Sequence, residues 1–323
     1  MIEQASTFNQ IRRDALLEDT VYEEQRIYFN KDNSKRYLHL TDESKDIVHR
    51  ASISWSLSLA KFEHALLEYS SGANLESVQH LSNLAFQDLQ RHKEQFSFKV
   101  INYWEPDGYQ FLLLVTSLAI LTGNKDSLLT IARMTGKKTN AGDDKAIVQF
   151  YTRIGLQGLH RQDSLVFEHP YSDFYDAIKG DDISPSKQER QLALSTYLKG
   201  WYKGMKNCYW YNRHKSKHAT HFGYWSLESG AATILFGLND SEYRKSIYYP
   251  KDWVDFALEN DFGSLFSHQK LPFHHIALPN DKVPVSALWT SNLSNVLLHL
   301  EAGERFDRSI ENEHGDAVIW ISR

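Results

Sequence analysis

Residues 48–69 read VHRASISWSLSLAKFEHALLEY. Apolar side chains recur there every three or four positions, at Val48, Ala51, Trp55, Leu59, Phe62, Leu66 and Tyr69. An α-helix has 3.6 residues per turn, so this spacing puts them on one side of a helix and predicts an amphipathic helix. A second stripe runs from Leu75 to Phe96 after the break at Ser70-Ser71-Gly72. Because the connection is short, the two helices are predicted to be antiparallel neighbours.

The rest of the chain is also predicted to be helical. Phe111–Leu121 is apolar on nearly every side, which indicates a helix buried at the centre of an amino-terminal bundle. Further helices are predicted at about 220–236 and at Val285–Leu300, and Ala317–Ile321 is either a short strand or an extended tail. The predicted fold class is therefore all-α, two packed helical domains or sub-bundles, with one short C-terminal strand left open.

The predicted domain organisation has three parts. Residues 1–160 form an N-terminal helical bundle, 161–184 an acidic connector and 185–323 a C-terminal helical domain. The connector has only two cationic residues, Arg161 and Lys179. It carries six carboxylates: Asp163, Glu168, Asp173, Asp176, Asp181 and Asp182. Such a composition is typical of a solvated linker or of a surface that attracts a basic partner.

Composition excludes several classes of protein. The 323 residues carry a formal charge of −5, with 41% hydrophobic and 24% charged side chains, as in globular proteins and unlike disordered chains. The single cysteine, Cys208, excludes an internal disulfide framework and a cysteine-cluster metal site. Met1–Asp14 lacks the apolar core of a signal peptide, and Phe111–Leu121 is shorter than the ~20 residues of a membrane span. The expected location is the cytoplasm.

Three histidines raise the possibility of a metal site but are better explained without one. His214, His218 and His221 have the spacing of a zinc-binding helix face, but Lys215 and Lys217 between them would repel the ion. We therefore expect structural or surface histidines, no metal site and no cofactor.

The stretch from Lys199 to Lys217 combines cations with aromatic rings, as single-strand nucleic-acid binders do. The alternative is that the rings enter the core while the lysines stay in water. The overall negative charge favours the second interpretation, and nucleic-acid binding remains the alternative function.

Glu228 is the strongest candidate for a catalytic residue. Apolar stripes on either side of it predict at least partial burial, and a buried carboxylate is almost always paired or hydrogen-bonded. It could be a general acid or base with a raised pKa, or a structural partner of an Arg, Lys or His. With no second carboxylate nearby and no nucleophile motif, we favour the structural role and predict that the chain is not an enzyme.

The segment around Glu228 carries a resemblance to a known family. Residues 221–257 read HFGYWSLESGAATILFGLNDSEYRKSIYYPKDWVDFA. They resemble the C-terminal domain of PoNi-type immunity proteins, the antidotes to PoNe-type DNase toxins. The matching residues are Gly223-Tyr224-Trp225-Ser226-x-Glu228, the break at Gly237–Ser241, and Tyr248-Tyr249-Pro250-x-Asp252. Residues 8–135 are more weakly similar to the family's N-terminal domain.

The resemblance implies a non-enzymatic, all-helical protein encoded beside a polymorphic toxin that a bacterial secretion system delivers in bacterial competition. Such a protein would bind its cognate nuclease toxin in the cytoplasm and occlude the active site or the DNA-binding surface; no cofactor or membrane is implied, and the oligomeric state stays open. Seven residues are interpreted as the structural signature of the fold: Tyr224, Trp225, Glu228, Asp240, Tyr249, Pro250 and Asp252.

The toxin-binding hypothesis rests on charge. A DNase must present cations to phosphate, and an inhibitor can compete with carboxylates of its own. We therefore expect the six acidic residues of the connector, Asp163, Glu168, Asp173, Asp176, Asp181 and Asp182, to contact the toxin. A merely solvated connector is the equally weighted alternative.

Overall fold

The computed structural model describes residues 2–136, 144–157, 164–180, 184–218, 220–266, 274–306 and 318–323, without the side chains of 2–6, 32 and 33. By its contacts, the chain divides into two units. Unit 1 comprises Met1–Phe96 and Tyr209–Trp225, and unit 2 comprises Ser97–Cys208 and Ser226–Arg323. This division differs from the predicted order of 1–160, 161–184 and 185–323, because Ser97–Cys208 groups with the later helices and a short segment after Cys208 packs with the first ones.

The described residues of unit 1 form four α-helices: α1 (Ile2–Ile11), α2 (Asp19–Leu40), α3 (Ile47–Ser71) and α4 (Leu75–Gln95). The predicted pair of helices is confirmed as α3 and α4, which pack on each other. Local side chains set their ends. Asp46 and Asn74 accept hydrogen bonds from the N–H groups of the first turns of α3 and α4, and Gly72 ends α3 in the left-handed conformation.

Unit 2 contains the remaining helices of the described residues: α5 (Pro106–Leu121), α6 (Leu128–Met134), α7 (Lys145–Arg153), α8 (Tyr171–Ile178), α9 (Lys187–Gly204), α10 (Leu227–Phe236) and α11 (Lys251–Glu259). The apolar helix α5 is buried as predicted, but the expectation that it centres an amino-terminal bundle is wrong. It packs against α10 and α11 of unit 2. A helix that is apolar all round has to be buried, but its pattern does not say by which neighbours.

Signature residues set the start of α11. Pro250 precedes its first residue, and Asp252 lies in its first turn. Proline has no N–H to leave unpaired at a helix start, and a carboxylate there complements the helix dipole. The predicted helix at 220–236 begins later, as α10 at Leu227, because the backbone at Gly223 has a φ of 107° and does not continue a helix.

A small sheet occupies the carboxy-terminal part of unit 2. Its strands are β1 (Leu156–Gln157), β2 (His274–Ala277), β3 (Ala287–Ser291), β4 (Leu297–Leu300) and β5 (Trp320–Ser322), in the order β1-β2-β5-β3-β4. The pairs β2–β5, β5–β3 and β3–β4 are antiparallel, and β1 runs parallel to β2. The mostly α-helical fold class is confirmed. The C-terminal part forms a sheet, where the sequence analysis had considered a single short strand.

The predicted helix at Val285–Leu300 is wrong, since these residues form β3 and β4. The ring of Phe306 lies 4.8 Å from that of Trp289 on β3 and 5.5 Å from that of Trp320 on β5. These buried aromatic rings come from separate parts of the sequence, and their packing outweighs the local helical spacing. Within the described ranges, every helix is too short or too polar to cross a lipid bilayer.

Candidate functional site

The acidic segment predicted to bind a partner is described in part. Asp163, Asp181 and Asp182 lie outside the described residues. Glu168 is exposed, and its carbonyl oxygen accepts a hydrogen bond from the Ser172 N–H of α8 at 2.8 Å. Asp173 is half-buried and Asp176 exposed on α8 itself, three residues apart. Residues spaced by three lie on the same side of a helix, so α8 carries two neighbouring carboxylates with a third just before it.

The charges around α8 are incompletely compensated. The Asp176 carboxylate is 2.6 Å from the Lys179 ammonium, an exposed pair worth about 0–1 kcal/mol. Partial burial raises the pKa of Asp173, the charge of Asp176 raises it further, and His169 opposes the rise. A raised carboxyl pKa means that the ionised form is disfavoured where it stands.

Glu228 lies at the start of α10 and is 3% exposed. Its Oε1 accepts three hydrogen bonds, from the Tyr197 hydroxyl at 2.8 Å, the Trp201 indole N–H at 2.6 Å and the Ser226 hydroxyl at 2.8 Å. Tyr197 and Trp201 are four residues apart on α9, so their polar groups reach the same oxygen from successive turns. The expected Arg, Lys or His partner is wrong, because these donors are neutral.

The chemistry open to Glu228 follows from this arrangement. Burial raises the pKa of its carboxyl, while the hydrogen bonds from Ser226, Tyr197 and Trp201 lower it. A general acid or base must come within hydrogen-bond reach of its substrate. A carboxyl that is 3% exposed and saturated at one oxygen is instead suited to joining α9 to α10.

Two more signature residues of unit 2 also form local links. Asp240 accepts a hydrogen bond from the Arg244 guanidinium at 2.8 Å, and Arg244 also pairs with Asp255 of α11. The buried Tyr249 hydroxyl donates to Thr233 of α10 at 3.2 Å. These contacts hold the turn after α10 against α10 and α11.

The signature residues of unit 1 are buried as well. The Trp225 indole N–H donates to the Ser70 hydroxyl at 2.8 Å, and the Tyr69 ring meets Trp225 edge-on at 4.9 Å. Tyr224 accepts a hydrogen bond from the backbone N–H of His214 at 3.1 Å. The Trp225 contacts attach residues 209–225 to α3 within unit 1, and the Tyr224 contact joins two parts of this segment itself.

Of the histidines considered for zinc, His214 and His221 lie with their rings 6.0 Å apart, and each has another polar partner. His221 Nε2 is 2.7 Å from the Asp14 carboxylate, and both side chains are buried. His214 Nδ1 is 2.9 Å from the Tyr224 hydroxyl, whereas His218 is exposed. No group of three or more His, Cys, Asp or Glu side chains is arranged to hold a metal ion in the part of the chain that the structure describes.

The basic and aromatic stretch is split between the two units. In unit 2, Lys199, Lys203 and Lys206 are exposed while Trp201 is buried. In unit 1, Trp210 is buried too. Bases stack on aromatic faces that are open to solvent, and these two indoles are not. The two indoles therefore fit the core interpretation, whereas Tyr209 is exposed and Tyr202 and Tyr211 are half-buried.

Unit 1 also contains a cavity that the sequence analysis did not predict. It has a volume of about 500 Å³ and lies among α2, α3 and residues 209–220. Its polar lining includes Gln25, Tyr28, Arg36, Glu63, Tyr209, Arg213 and His218. They come from three separate segments without a recognisable motif, so no spacing in the sequence could have marked them.

Comparison with known families identifies the chain. A family model described as PoNe immunity protein (PoNi), N-terminal, matches residues 11–133. A second, described as PoNe immunity proteins (PoNi), C-terminal, matches residues 142–253. Together they span well over half of the sequence.

The chain belongs to the PoNe immunity protein family. The resemblance inferred from residues 221–257 is thus confirmed, and so is the weaker similarity of the first helices. The N-terminal match of the PoNe immunity family includes α2 and α3, which line the cavity, and the C-terminal match includes α8 and Glu228. Most of the sheet lies beyond both matches.

The fold of this PoNe immunity family member is also similar to a solved structure. The crystal structure of protein PA2201 from Pseudomonas aeruginosa superposes with a TM-score of 0.58 at 13% identity, covering 80% of this chain and 97% of that one. Identity this low shows a shared fold only. A search of curated proteins gives no significant match.

Proposed function

We propose that the chain binds a PoNe-type nuclease toxin and neutralises it by covering the active site or the DNA-binding surface. It does so as a stoichiometric inhibitor in the cytoplasm and without catalysis of its own. The observation that carries the proposal is that both parts of the PoNe immunity family match, over residues 11–133 and 142–253. The chain would be the antidote in a toxin–immunity pair used in bacterial competition, beside a toxin delivered by a secretion system.

The surface around α8 supplies the charge that the proposal needs. A nuclease attracts the DNA backbone with lysine and arginine side chains. Glu168, Asp173 and Asp176 can meet the same cations, and carboxylates on an interface also raise the association rate. A lysine or arginine placed beside Asp173 and Asp176 would offset the repulsion between these two carboxylates.

Reversing the charge of α8 tests this surface. With lysine at Glu168, Asp173 and Asp176 together, we expect the toxin to bind about 10- to 100-fold more weakly and with a smaller dependence on salt. The reason is that attraction between opposite charges becomes repulsion. The dissociation constant is measured by surface plasmon resonance at several ionic strengths.

A matched variant controls for net charge. Lysine at Glu242, Glu259 and Glu301 changes the charge by the same amount at exposed positions of unit 2 outside the acidic segment. This variant should bind almost as the wild type does. If both triple variants lose the same affinity, net charge alone matters and α8 is not the toxin-binding surface.

A further inference from the structure

The cavity of unit 1 contains a buried amide without a partner. Gln25 of α2 is 2% exposed and lines the cavity. Its Oε1 is buried and accepts no hydrogen bond from the described residues. Buried side-chain amides are nearly always satisfied, and exceptions indicate a missing partner or a functional role. This oxygen is closed to a water-sized probe, so a group that enters the cavity completes it only if the amide turns toward that group.

The cavity also contains a guanidinium whose donors are available. Arg213 lies over the Tyr209 ring, with its guanidinium carbon 4.8 Å from the ring centre. Its side chain makes no hydrogen bond or ion pair with the described residues. The planar guanidinium presents a fork of N–H groups that matches the two oxygens of a carboxylate. Stacking on Tyr209 holds the fork in place without using those groups.

Glu63 of α3 fixes the ring beneath Arg213. The Tyr209 hydroxyl donates a hydrogen bond to Glu63 Oε1. Burial raises the pKa of Glu63, while that hydrogen bond and the charges of Arg213 and Arg36 lower it. Glu63, Tyr209 and Arg213 thus form a chain of contacts that positions the fork.

A second guanidinium sets the charge of the lining. Arg36 donates to the backbone oxygen of Ser56 and to the Tyr28 hydroxyl, both at 3.2 Å. Two arginines and one glutamate make the lining net positive by one charge when Glu63 is ionised. That charge suits a singly charged carboxylate better than a doubly charged phosphate.

We propose that this cavity receives an acidic side chain of a protein partner, with its carboxylate on the Arg213 fork and an adjacent peptide amide on Gln25. The Gln25 oxygen lacks a donor, and a peptide N–H supplies one. The volume of about 500 Å³ admits a side chain with its flanking backbone. The partner is the PoNe-type toxin, so this identity rests on the proposed function.

Two substitutions test the cavity through toxin binding. Arg213→Gln removes the fork, and Gln25→Leu removes the amide while keeping similar bulk. Each is expected to weaken binding about 10- to 100-fold, the loss typical of a charged or buried hydrogen bond. Gln25→Leu should also raise the melting temperature, because it removes a buried polar group without a partner. Higher stability with lower affinity distinguishes a binding role from a structural one.

Arg26→Gln is the control, since it removes an exposed guanidinium from the same unit. If Arg213→Gln and Gln25→Leu bind the toxin as Arg26→Gln does, the cavity proposal is overturned and the proposed function stands. If the wild type binds no PoNe-type toxin, the proposed function fails. The cavity proposal is then tested separately with a small probe molecule.

The probe is N-acetylglutamate N-methylamide, followed by NMR, with the glutamine analogue and a nucleoside monophosphate as comparisons. Saturable binding of the acidic probe that Arg213→Gln abolishes supports the cavity proposal. Absence of binding, or a preference for the nucleotide, overturns it.

Discussion

Replacing Glu228 by alanine is expected to lower the free energy of unfolding by about 2–5 kcal/mol. Alanine removes the oxygen that accepts hydrogen bonds from Tyr197, Trp201 and Ser226. The Ser226 hydroxyl keeps a contact with Ser229 at 2.6 Å, so most of the loss falls on the two donors of α9. A buried donor deprived of its acceptor costs about 1–3 kcal/mol. Urea denaturation followed by far-ultraviolet circular dichroism measures the change.

Glu242→Ala is the matched control for this substitution. Glu242 is an exposed glutamate of the same unit, and its removal should change the stability by less than about 0.5 kcal/mol. If Glu228→Ala costs no more than Glu242→Ala, the carboxyl does not hold α9 and α10 together.

Glu228→Gln separates the hydrogen bonds from the charge, because glutamine keeps an acceptor oxygen and never ionises. The fold raises the pKa of Glu228 above its ordinary 4.5. The wild-type carboxyl therefore contributes most to stability below about pH 4.5, and the contribution is lost as the pH rises through the folded-state pKa. We expect the stability of Glu228→Gln relative to the wild type to increase from about pH 4 to about pH 8. A difference that stays constant over this range would contradict the raised pKa.

Replacing Gly223 by alanine should have a comparable effect on unit 1, about 3–5 kcal/mol. Gly223 has a φ of 107°, which L side chains rarely adopt. A Cβ there would lie 2.0 Å from the Ser70 hydroxyl oxygen and 2.5 Å from the Trp225 indole nitrogen. Because those two atoms share a buried hydrogen bond, alanine both strains the backbone and separates the pair. The lower stability of unit 1 is measured as a lower melting temperature or as faster amide hydrogen exchange in α3.

Two other glycines separate the cost of backbone strain from the cost of the steric contact with Ser70. Gly303 also has a positive φ, 94°, but no atom within 4 Å of an added Cβ, so Gly303→Ala should cost only about 1–2 kcal/mol of backbone strain. Gly200 lies inside α9 with equally open space, and Gly200→Ala should stabilise the helix by about 0.5–1 kcal/mol. Equal losses for Gly223→Ala and Gly303→Ala would show that contact with Ser70 adds nothing.

The sequence predicted the parts of the fold whose determinants lie close together in the chain. The helices α3 and α4 follow from apolar spacing and from caps that lie next to them in the chain. The strands β3 and β4 could not be predicted in this way, because Trp289 finds its aromatic partners in Phe306 and Trp320. The packing of residues 209–225 with the first helices has the same origin, as in the pairing of His221 with Asp14.

The candidate site shows the same limit. The burial of Glu228 follows from the apolar residues around it, whereas its neutral donors come from α9, and no local pattern assigns them. The α8 carboxylates were found by composition alone. The cavity of unit 1 was missed because a buried glutamine on α2 has no signature in the hydrophobic pattern. Only the family resemblance pointed from these residues to a function.

Titration of nuclease activity tests the central proposal most directly. A fixed amount of purified PoNe-type toxin is mixed with increasing amounts of the chain, and the cleavage of plasmid DNA is followed. We predict that cleavage falls in proportion to the added chain and stops near equimolar amounts, as a tight stoichiometric inhibitor requires. Undiminished cleavage in the presence of excess chain would contradict the account, as would inactivation of many toxin molecules by each molecule of the chain.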